Sequence, residues 1–305
     1  MPEAMRPRLS GEERALGAGT LVHERTGIAR FVLRGPGRVA CLQGLVTCDV
    51  ERTDGRASLF GALLTAKGMI VTPLWIYLAD DEIRLEAPDT AAPLLEEVFQ
   101  RTLPPRQCRW ESVTATTASI GVYGPDARPF PGALPAVARG APGFDGQPPI
   151  AAAQHLVEEA LAQGAVRASD TLMDRCRIEA GIPRLGAEID ERTLPQEVRL
   201  EELGAVSYTK GCYVGQETVA RLHFRGHANR KLVSVDLPGE PPTLPHMLTQ
   251  GDKPAGRITS AAWTASAGAW IGLAVIRREI ADGAALTDAR EGAVFVREGR
   301  WLRPA

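Results

Sequence analysis

The segment Lys210–Glu217 (KGCYVGQE) carries the clearest potential for chemistry in this chain. It places the thiol of Cys212 between Gly211 and Gly215, two residues after a lysine. A thiolate is a nucleophile and a metal ligand, and a neighbouring ammonium group favours that charged form. Glycine lets the backbone take positive φ or approach a ligand closely. The segment therefore predicts a loop with a functional thiol, and the alternative is a small buried apolar cysteine.

A second candidate lies in Arg177–Pro183 (RIEAGIP). Glu179 falls near the end of a predicted helix, where the helix dipole disfavours a carboxylate, so another group must satisfy it. A flat heterocycle with two N–H donors, such as an aminopyrimidine edge, would do so. An ion pair with Arg175 or Arg177 is the alternative that the residues leave open.

The basic segment after the signature contains His223 and His227, which are four residues apart. Gly226 and the alternation of Leu222 and Phe224 predict an extended segment, so no metal site is expected. The segment and its continuation carry four permanent cations: Arg221, Arg225, Arg230 and Lys231. Such a strand would face an anion, either phosphate or the carboxylates of a polyglutamate tail, unless it is only a solvated basic edge.

Composition limits the function classes. The 305 residues include 35 basic and 37 acidic side chains, for a net charge of −2, which argues against a generally basic nucleic-acid binder but does not exclude a local basic groove. Direct nucleic-acid binding is not expected. Neither a signal peptide nor an apolar run of about 18 residues is visible, which predicts a soluble cytoplasmic protein without membrane partners. Five scattered cysteines without a C-x-x-C pair predict reduced thiols rather than disulfides or zinc.

The elements that must position these groups alternate between strands and helices. Strands are predicted at Ala29–Arg34, Leu59–Thr65, Met69–Leu78, Glu82–Glu86 and Ser119–Tyr123. Helices are predicted at 39–46, Ala91–Thr102, Ala151–Gln163 and Thr171–Ala180. After Asn229, the short apolar segments Lys231–Leu237, Gly256–Trp263, Ala269–Ile276 and Ala293–Glu298 predict a β-barrel or sandwich. The chain is therefore expected to be α+β, with a β-rich C-terminal unit.

Several motifs together resemble one family. Lys210–Glu217 is similar to the signature of the YgfZ-type folate-binding proteins, relatives of the aminomethyltransferase (T-protein) of the glycine cleavage system. Weaker similarities follow in the family's order: Leu42-Gln43-Gly44 with Thr47 and Asp49, Leu64–Gly68, and Arg177–Pro183 running into Leu194–Glu197. The resemblance covers nearly the whole chain.

The resemblance implies a three-lobed T-protein-like ring that holds tetrahydrofolate in its channel. It implies a folate-binding body of residues 10–112 with 190–228, a second α+β domain of 113–189, and a C-terminal β-barrel of 229–305. Lys210 and Cys212 would face the channel and carry the chemistry. The residues expected to contact the folate are Glu179, Arg177, Tyr213, Gln216, Glu217 and Arg225.

The function implied by the resemblance is folate-dependent support of iron–sulfur cluster assembly or repair, and indirectly of tRNA modification. Iron–sulfur proteins would be partners, and Cys212 the key thiol. The aspartate with which T-proteins orient folate is missing, because Met69–Pro73 carries no carboxylate. Cys48 stands where relatives often have asparagine. A folate-dependent aminomethyl or methyl transferase, and a non-catalytic adaptor for a cluster protein or RNA, remain alternatives.

Overall fold

The computed structural model describes residues 10–51, 57–241, 243–265, 268–288 and 292–297. Its helices are α1 Gly11–Ala18, α2 Arg38–Gln43, α3 Ala92–Thr102, α4 Ile150–Ala162, α5 Asp170–Ala180 and α6 Gln216–Arg225. Its first ten strands are β1 Leu21–Arg25, β2 Ile28–Arg34, β3 Ala57–Leu64, β4 Ile70–Leu78, β5 Glu82–Pro88, β6 Arg109–Ser112, β7 Ser119–Tyr123, β8 Leu134–Pro135, β9 Gly143–Gly146 and β10 Val166–Arg167. The remaining strands are β11 Arg230–Leu237, β12 His246–Gln250, β13 Lys253–Thr264, β14 Ala269–Arg277, β15 Ala285–Asp288 and β16 Ala293–Val296. The fold is therefore α+β, as expected from the sequence.

The first lobe is a sheet of order β3-β4-β5-β2-β6. The predicted strands Leu59–Thr65 and Met69–Leu78 are present as β3 and β4, which pair in antiparallel register across the turn Ala66-Lys67-Gly68. Residues that alternate along the strands form its core against α2 and α3. Phe31 contacts the ring of Phe99 on α3 edge-on, at 5.6 Å between centroids. This packing fixes α2, which leads into the loop that meets the signature segment.

The second lobe is a sheet of order β10-β1-β7-β9-β8. Strand β1 lies between β7, with which it pairs over five residues, and the edge strand β10, with which it pairs over two. A capping box of Ser10 and Glu13 begins the preceding helix α1. Residues 10–25, predicted to belong to the body of 10–112, therefore lie in the second lobe instead. The sequence shows only a weak pattern here, because the partners of β1 come about 100 residues later.

The third unit is a closed barrel of order β11-β14-β13-β12-β15-β16. The four strands predicted in this region are present as β11, β13, β14 and β16, and β12 and β15 complete the barrel. Alternate residues such as Val233, Val235 and Ile258 fill its interior. Sequence analysis did not detect β12 and β15, which are short and flanked by turns.

The three units meet in one apolar cluster. Phe60 of the first lobe, Ile178 of α5 and Ile271 of the barrel belong to it. The signature residue Tyr213 and Val219 of α6 lie in the same cluster. The signature segment is therefore fixed at the junction of the units rather than on a peripheral loop. No helix among the described residues is long and apolar enough to span a membrane.

A buried ionic network joins the first two lobes. Arg25 on β1 donates to both carboxylate oxygens of Glu86 on β5 at 2.9 and 3.0 Å, and to Asp145 on β9 at 2.7 Å. Arg139 also pairs with both acids, and its guanidinium lies 4.1 Å from the ring centroid of Trp75. Two arginines and two carboxylates balance in charge. Burying ions is costly unless opposite charges pair in this way, and within the described residues Nε of Arg25 is left without a hydrogen-bond partner.

Candidate functional site

Lys210 is anchored by the loop that follows α2. Its ammonium group donates to the carbonyl oxygens of Gln43, Val46 and Cys48 at 2.6, 2.7 and 2.9 Å. These bonds use all three N–H donors of the lysine. Burial lowers the pKa of Lys210 to about 8, so the ammonium form still dominates at neutral pH. Lys210 therefore locks two distant segments together and has no donor left for Cys212, contrary to the expected activation of the thiol.

The carbonyls that hold Lys210 are themselves fixed by side chains of the Leu42–Asp49 motif. Gln43 donates to Asp49 at 2.8 Å and accepts from the N–H of Val50 at 2.9 Å. Thr47 is completely buried and donates to the carbonyl oxygen of Ala205 at 2.6 Å. Burial raises the pKa of Cys48 to about 12, so this residue is a neutral thiol. The motif thus forms the surface on which the segment that contains Lys210 is held.

Two glycines bring the Leu64–Gly68 turn against the signature segment. Gly215 has φ +83° and forms the N-terminal cap of α6, and a Cβ atom there would lie 2.5 Å from the carbonyl oxygen of Thr65. Gly68 also has φ +83°, and a Cβ atom there would lie 2.9 Å from Thr218. Only glycine combines positive φ with this close approach. Three separated motifs therefore form one structural unit.

That unit presents Cys212 to the solvent. Tyr213, the next residue, is buried, and the N–H of Val214 donates to the carbonyl oxygen of Gly44 at 3.2 Å. The backbone is thus held immediately after the cysteine, while the thiol itself is exposed. Cys212 is the exposed member of the five cysteines, whereas Cys48, Cys108 and Cys176 are buried and Cys41 is half-buried. The alternative of a buried apolar Cys212 is therefore wrong.

Glu179 lies near the end of α5 and is half-buried. Its carboxylate is 3.7 Å from Nε of Arg175, which is an ion pair but too long for a hydrogen bond. The same arginine is held on its other side by Glu13, which completes the capping box of α1. The carboxylate of Glu179 therefore keeps its capacity to accept hydrogen bonds from a ligand.

Arg177, expected to contact folate, has a different environment. Its guanidinium donates to Glu188 at 2.9 Å, to Asp174 at 2.6 Å and to the hydroxyl of Ser260 in the barrel at 2.7 Å. It also reaches the carbonyl oxygen of Ile182 at 3.3 Å. Arg177 is thus a buried link between α5 and the barrel, and its main contacts are protein groups.

Several buried polar atoms have no hydrogen-bond partner among the described residues, and two of them belong to the site motifs. They are Oη of Tyr213 and Oε1 of Gln196. Burial, with the charge of Glu201, raises the pKa of Tyr213 to about 12, so its phenol is neutral and can donate. An unpaired buried polar group is costly, and such groups often mark a place where a ligand or water binds. Tyr213 was expected to contact folate; Gln196 belongs to the Leu194–Glu197 motif.

The basic segment is helical and not extended. Helix α6 begins at Gln216, which is half-buried, and continues to Arg225; Glu217 and Arg225 are exposed. Val219 and Leu222 have the spacing of one helical face, which the alternation of Leu222 and Phe224 concealed. The remaining two cations of the predicted anion-facing strand are engaged elsewhere. Arg230 pairs with Glu197 at 2.9 Å and Lys231 with Asp282 at 3.3 Å.

Sequence reasoning missed the buried ionic network. In β5, Ile83, Leu85 and Ala87 mark the apolar side, and Glu86 falls on the alternate side that the pattern assigns to solvent. The second lobe covers that side, so Glu86 is fully buried. The sequence of one strand contains no signal for a partner sheet that packs on it.

No group of three or more potential metal ligands lies together within the described part of the chain.

Comparisons with known proteins identify relatives in sequence and in fold. No family model matches the chain. It is 27% identical over 275 residues to the tRNA-modifying protein YgfZ of Serratia proteamaculans (strain 568), which is 80% of each protein. It is 49% identical over 69 residues to the protein of that name from Edwardsiella ictaluri (strain 93-146), a match that covers 23% of this chain and 20% of the relative's length.

The fold is that of a solved aminomethyltransferase. The glycine cleavage system aminomethyltransferase T from Bartonella henselae superposes with a TM-score of 0.83, at 17% identity, over 94% of this chain and 88% of that one. The expected T-protein-like architecture with a C-terminal barrel is thus confirmed. The chain is therefore similar to YgfZ proteins over most of its length, and it shares the fold of the glycine cleavage system aminomethyltransferase T.

Proposed function

We propose that this protein binds tetrahydrofolate and supports iron–sulfur cluster assembly or repair, and through it tRNA modification, with Cys212 as the functional thiol. One observation carries the proposal. Three separated motifs converge to hold a single exposed cysteine in a fixed position, through Lys210 and the Gly68–Gly215 contact. A fold does not need such precision around an exposed residue for stability alone. The names of the relatives supply the connection to tRNA modification.

The residues around the junction fit a polar heterocycle. Glu179 offers a carboxylate without a hydrogen-bonded protein partner in the described chain, which suits the N–H edge of a pterin. Tyr213 and Gln196 contribute a buried hydroxyl and a buried amide oxygen that lack partners. We propose that these three residues hold the folate, which carries one-carbon units when bound. Arg177 and Lys210 hold the surrounding segments of the proposed folate site in place, because their donors are engaged by protein groups.

Cys212 is suited to react with or ligate something outside the protein. An exposed thiol on a fixed loop is accessible to a cluster or to another protein's site. Gln216 and Glu217, in the first turn of α6, follow it after three intervening residues. We propose that Cys212 acts as a thiolate ligand or nucleophile toward an iron–sulfur client.

The first test is binding of tetrahydrofolate by calorimetry under anaerobic conditions. We expect the wild type to bind and Glu179→Ala to lose about tenfold or more in affinity, because a charge-assisted pair is removed. Glu97→Ala, on the exposed side of α3, is the matched control and should bind normally. If neither the wild type nor the control binds, the folate proposal is wrong.

The role of the thiol is tested separately in cells. A strain that lacks the gene and carries Cys212→Ser should lose activity of an iron–sulfur-dependent tRNA-modifying enzyme, measured as modified nucleoside. Cys41→Ser, at a half-buried cysteine on α2, is the control and should support it. Full activity with Cys212→Ser would exclude the thiol role while leaving folate binding untouched.

Aminomethyl transfer is the weaker candidate. Strand β4 begins at Ile70 and contains no Asp or Glu, so it offers no carboxylate to orient a folate amine. The hydroxyl of buried Thr72 donates to the carbonyl oxygen of Pro73. The likeness to the solved aminomethyltransferase supports the architecture only. We therefore expect no formation of methylene-tetrahydrofolate from an aminomethyl donor, and turnover at that assay would reverse the order of the two candidates.

A further inference from the structure

The outer face of α6 combines an exposed aromatic ring with unpaired cations. Val219 is completely buried, and at 100° per residue the opposite side of the helix holds Glu217, Arg221, Phe224 and Arg225. The ring of Phe224 is 67% exposed. Within the described chain, neither Arg221 nor Arg225 forms an ion pair, unlike Arg230 a few residues later. This face is available to an external partner.

Two further rings extend the aromatic surface. His223 stacks on Tyr208 with 3.7 Å between centroids and 19° between planes. Phe224 meets His223 edge-on at 4.7 Å and lies 5.9 Å from Tyr208. The stack holds His223 in place, while Phe224 projects beyond it. Lys67 is exposed on the turn whose Gly68 contacts Thr218 of α6, which adds a cation beside the first turn.

We infer that this surface, defined by Lys67, Arg221, Phe224 and Arg225, binds single-stranded RNA. Exposed aromatic rings stack on unpaired bases, and flanking arginines bind the backbone phosphates. RNA loops present such bases, whereas duplexes keep them stacked. A protein partner fits less well, because protein interfaces bury a cluster of apolar anchors and this face offers Phe224 alone. The net charge of −2 requires the binding to be local and salt-sensitive.

The inference revises the expectation against direct nucleic-acid binding and assigns the local basic surface that composition left open. Total charge averages over the whole surface, so it does not report a patch in which cations lack carboxylate partners. The position of the patch is also informative. Cys212 lies four residues before the start of α6, so RNA bound along this helix would lie close to the exposed thiol.

The test is fluorescence anisotropy of a labelled 12-nucleotide oligouridine at low salt. We expect a Kd of about 10⁻⁴ to 10⁻⁶ M. Phe224→Ala should weaken binding about tenfold, and Phe224→Tyr should retain it, because the ring provides the stacking. Phe295→Ala, at an exposed ring on the barrel, is the matched control. The variants are at exposed positions, and their circular dichroism verifies that they fold.

The cations are tested through salt dependence. Replacing Arg221 and Arg225 together by glutamine should reduce the slope of log K against log salt by about 1.4, since each phosphate contact contributes about 0.7 in single strands. Replacing Arg101 and Arg192, both exposed elsewhere, should leave the slope unchanged.

Three results would overturn the inference: equal binding by Phe224→Ala, equal binding of a duplex RNA, or equal competition by a 12-residue oligoglutamate peptide. The last would identify a surface for acidic proteins instead. Tetrahydrofolate binding by Phe224→Ala is measured in parallel and should be unchanged. Failure of the RNA inference is thereby distinguished from failure of the folate proposal.

Discussion

Lys210 connects two parts of the chain that are more than 160 residues apart. Its charge is buried at the carbonyl ends of the loop 43–48, which act together much as the ligands of a small cation do. A lysine at this position of the signature therefore has a structural explanation. It defines the path of the backbone that leads to Cys212.

The substitution Lys210→Met tests this role. It keeps the length of the side chain but leaves three carbonyl groups without their donor, so we expect a loss of about 3 kcal/mol in the free energy of unfolding. Lys67→Met, at an exposed lysine, should change it by less than about 0.5 kcal/mol. The measurement is urea unfolding at pH 7. Equal stability of both variants would show that the carbonyl contacts contribute nothing net.

Alanine substitutions at the two glycines of the signature are expected to differ in their effect on stability. Gly215→Ala introduces a Cβ atom 2.5 Å from a backbone oxygen at φ +83°, which neither partner can relieve cheaply. We expect a loss of about 2 to 4 kcal/mol. Gly211→Ala meets no atom within 4 Å and should be close to neutral. Thermal unfolding of the two variants compares them directly, and a tolerated Gly215→Ala would contradict the close packing.

At the level of elements, strands and helices with a regular apolar pattern were predictable from the sequence. Burial of a strand or helix face by elements distant in the chain was not. The barrel strands and the β3–β4 hairpin follow from local alternation and turn residues, and both are present. Helix α6 was predicted as extended, since Gly226 and the alternation of Leu222 and Phe224 outweighed a helical spacing in which Val219 is the one buried residue. The site motifs came from family resemblance, whereas their geometry depends on contacts between segments that no local pattern encodes.

The ionic network between the sheets predicts a specific acid sensitivity. Burial alone would raise the pKa of Glu86, but Arg25 and Arg139 outweigh it and lower the pKa below its ordinary value of 4.5. The pKa of Asp145 is lowered for the same reasons. The unfolded chain thus binds more protons in acid, so this stabilisation is complete above about pH 4.5 and is lost as the pH falls further.

The substitution Glu86→Gln measures the contribution of the ionic network to the free energy of unfolding. At pH 7 it leaves two buried guanidinium groups short of one negative charge and should cost about 3 to 5 kcal/mol. Its unfolding free energy should also fall less steeply than that of the wild type between pH 5 and 3, because one lowered carboxylate is gone. Glu97→Gln, in an exposed ion pair with Arg101, is the control. Parallel pH profiles for Glu86→Gln and wild type would refute the assignment.

At the scale of the whole molecule, polar links connect the units around the central apolar cluster. The barrel is tied to α5 through Arg177 and Ser260, and to the segment before the signature through Arg230 with Glu197 and Arg257 with Asp190. These links explain why Arg177 belongs to a motif although its guanidinium is fully engaged. It positions the barrel relative to the helix that carries Glu179.

The variant Arg177→Met should loosen the barrel. It leaves the carboxylate of Glu188 buried and without its cation, at a cost of about 3 to 5 kcal/mol, and faster hydrogen exchange should appear in β13. Arg184→Met, at a half-exposed arginine that also pairs with Asp174, should leave the exchange of β13 unchanged. Uniform acceleration over all strands would indicate global destabilisation rather than loss of this link.

The placement of β1 has a consequence for synthesis on the ribosome. The strand emerges among the first 25 residues, but its neighbours β7 and β10 follow about 100 and 140 residues later. The contacts of the first lobe are also completed late, because Lys210 reaches its carbonyl partners only after two-thirds of the chain has been translated. The nascent polypeptide therefore carries the unpaired edges of β1 until residues 119–123 and then 166–167 have been synthesised. Such edges are the surfaces that chaperones protect, which makes slow translation before residue 167 a hazard for this protein.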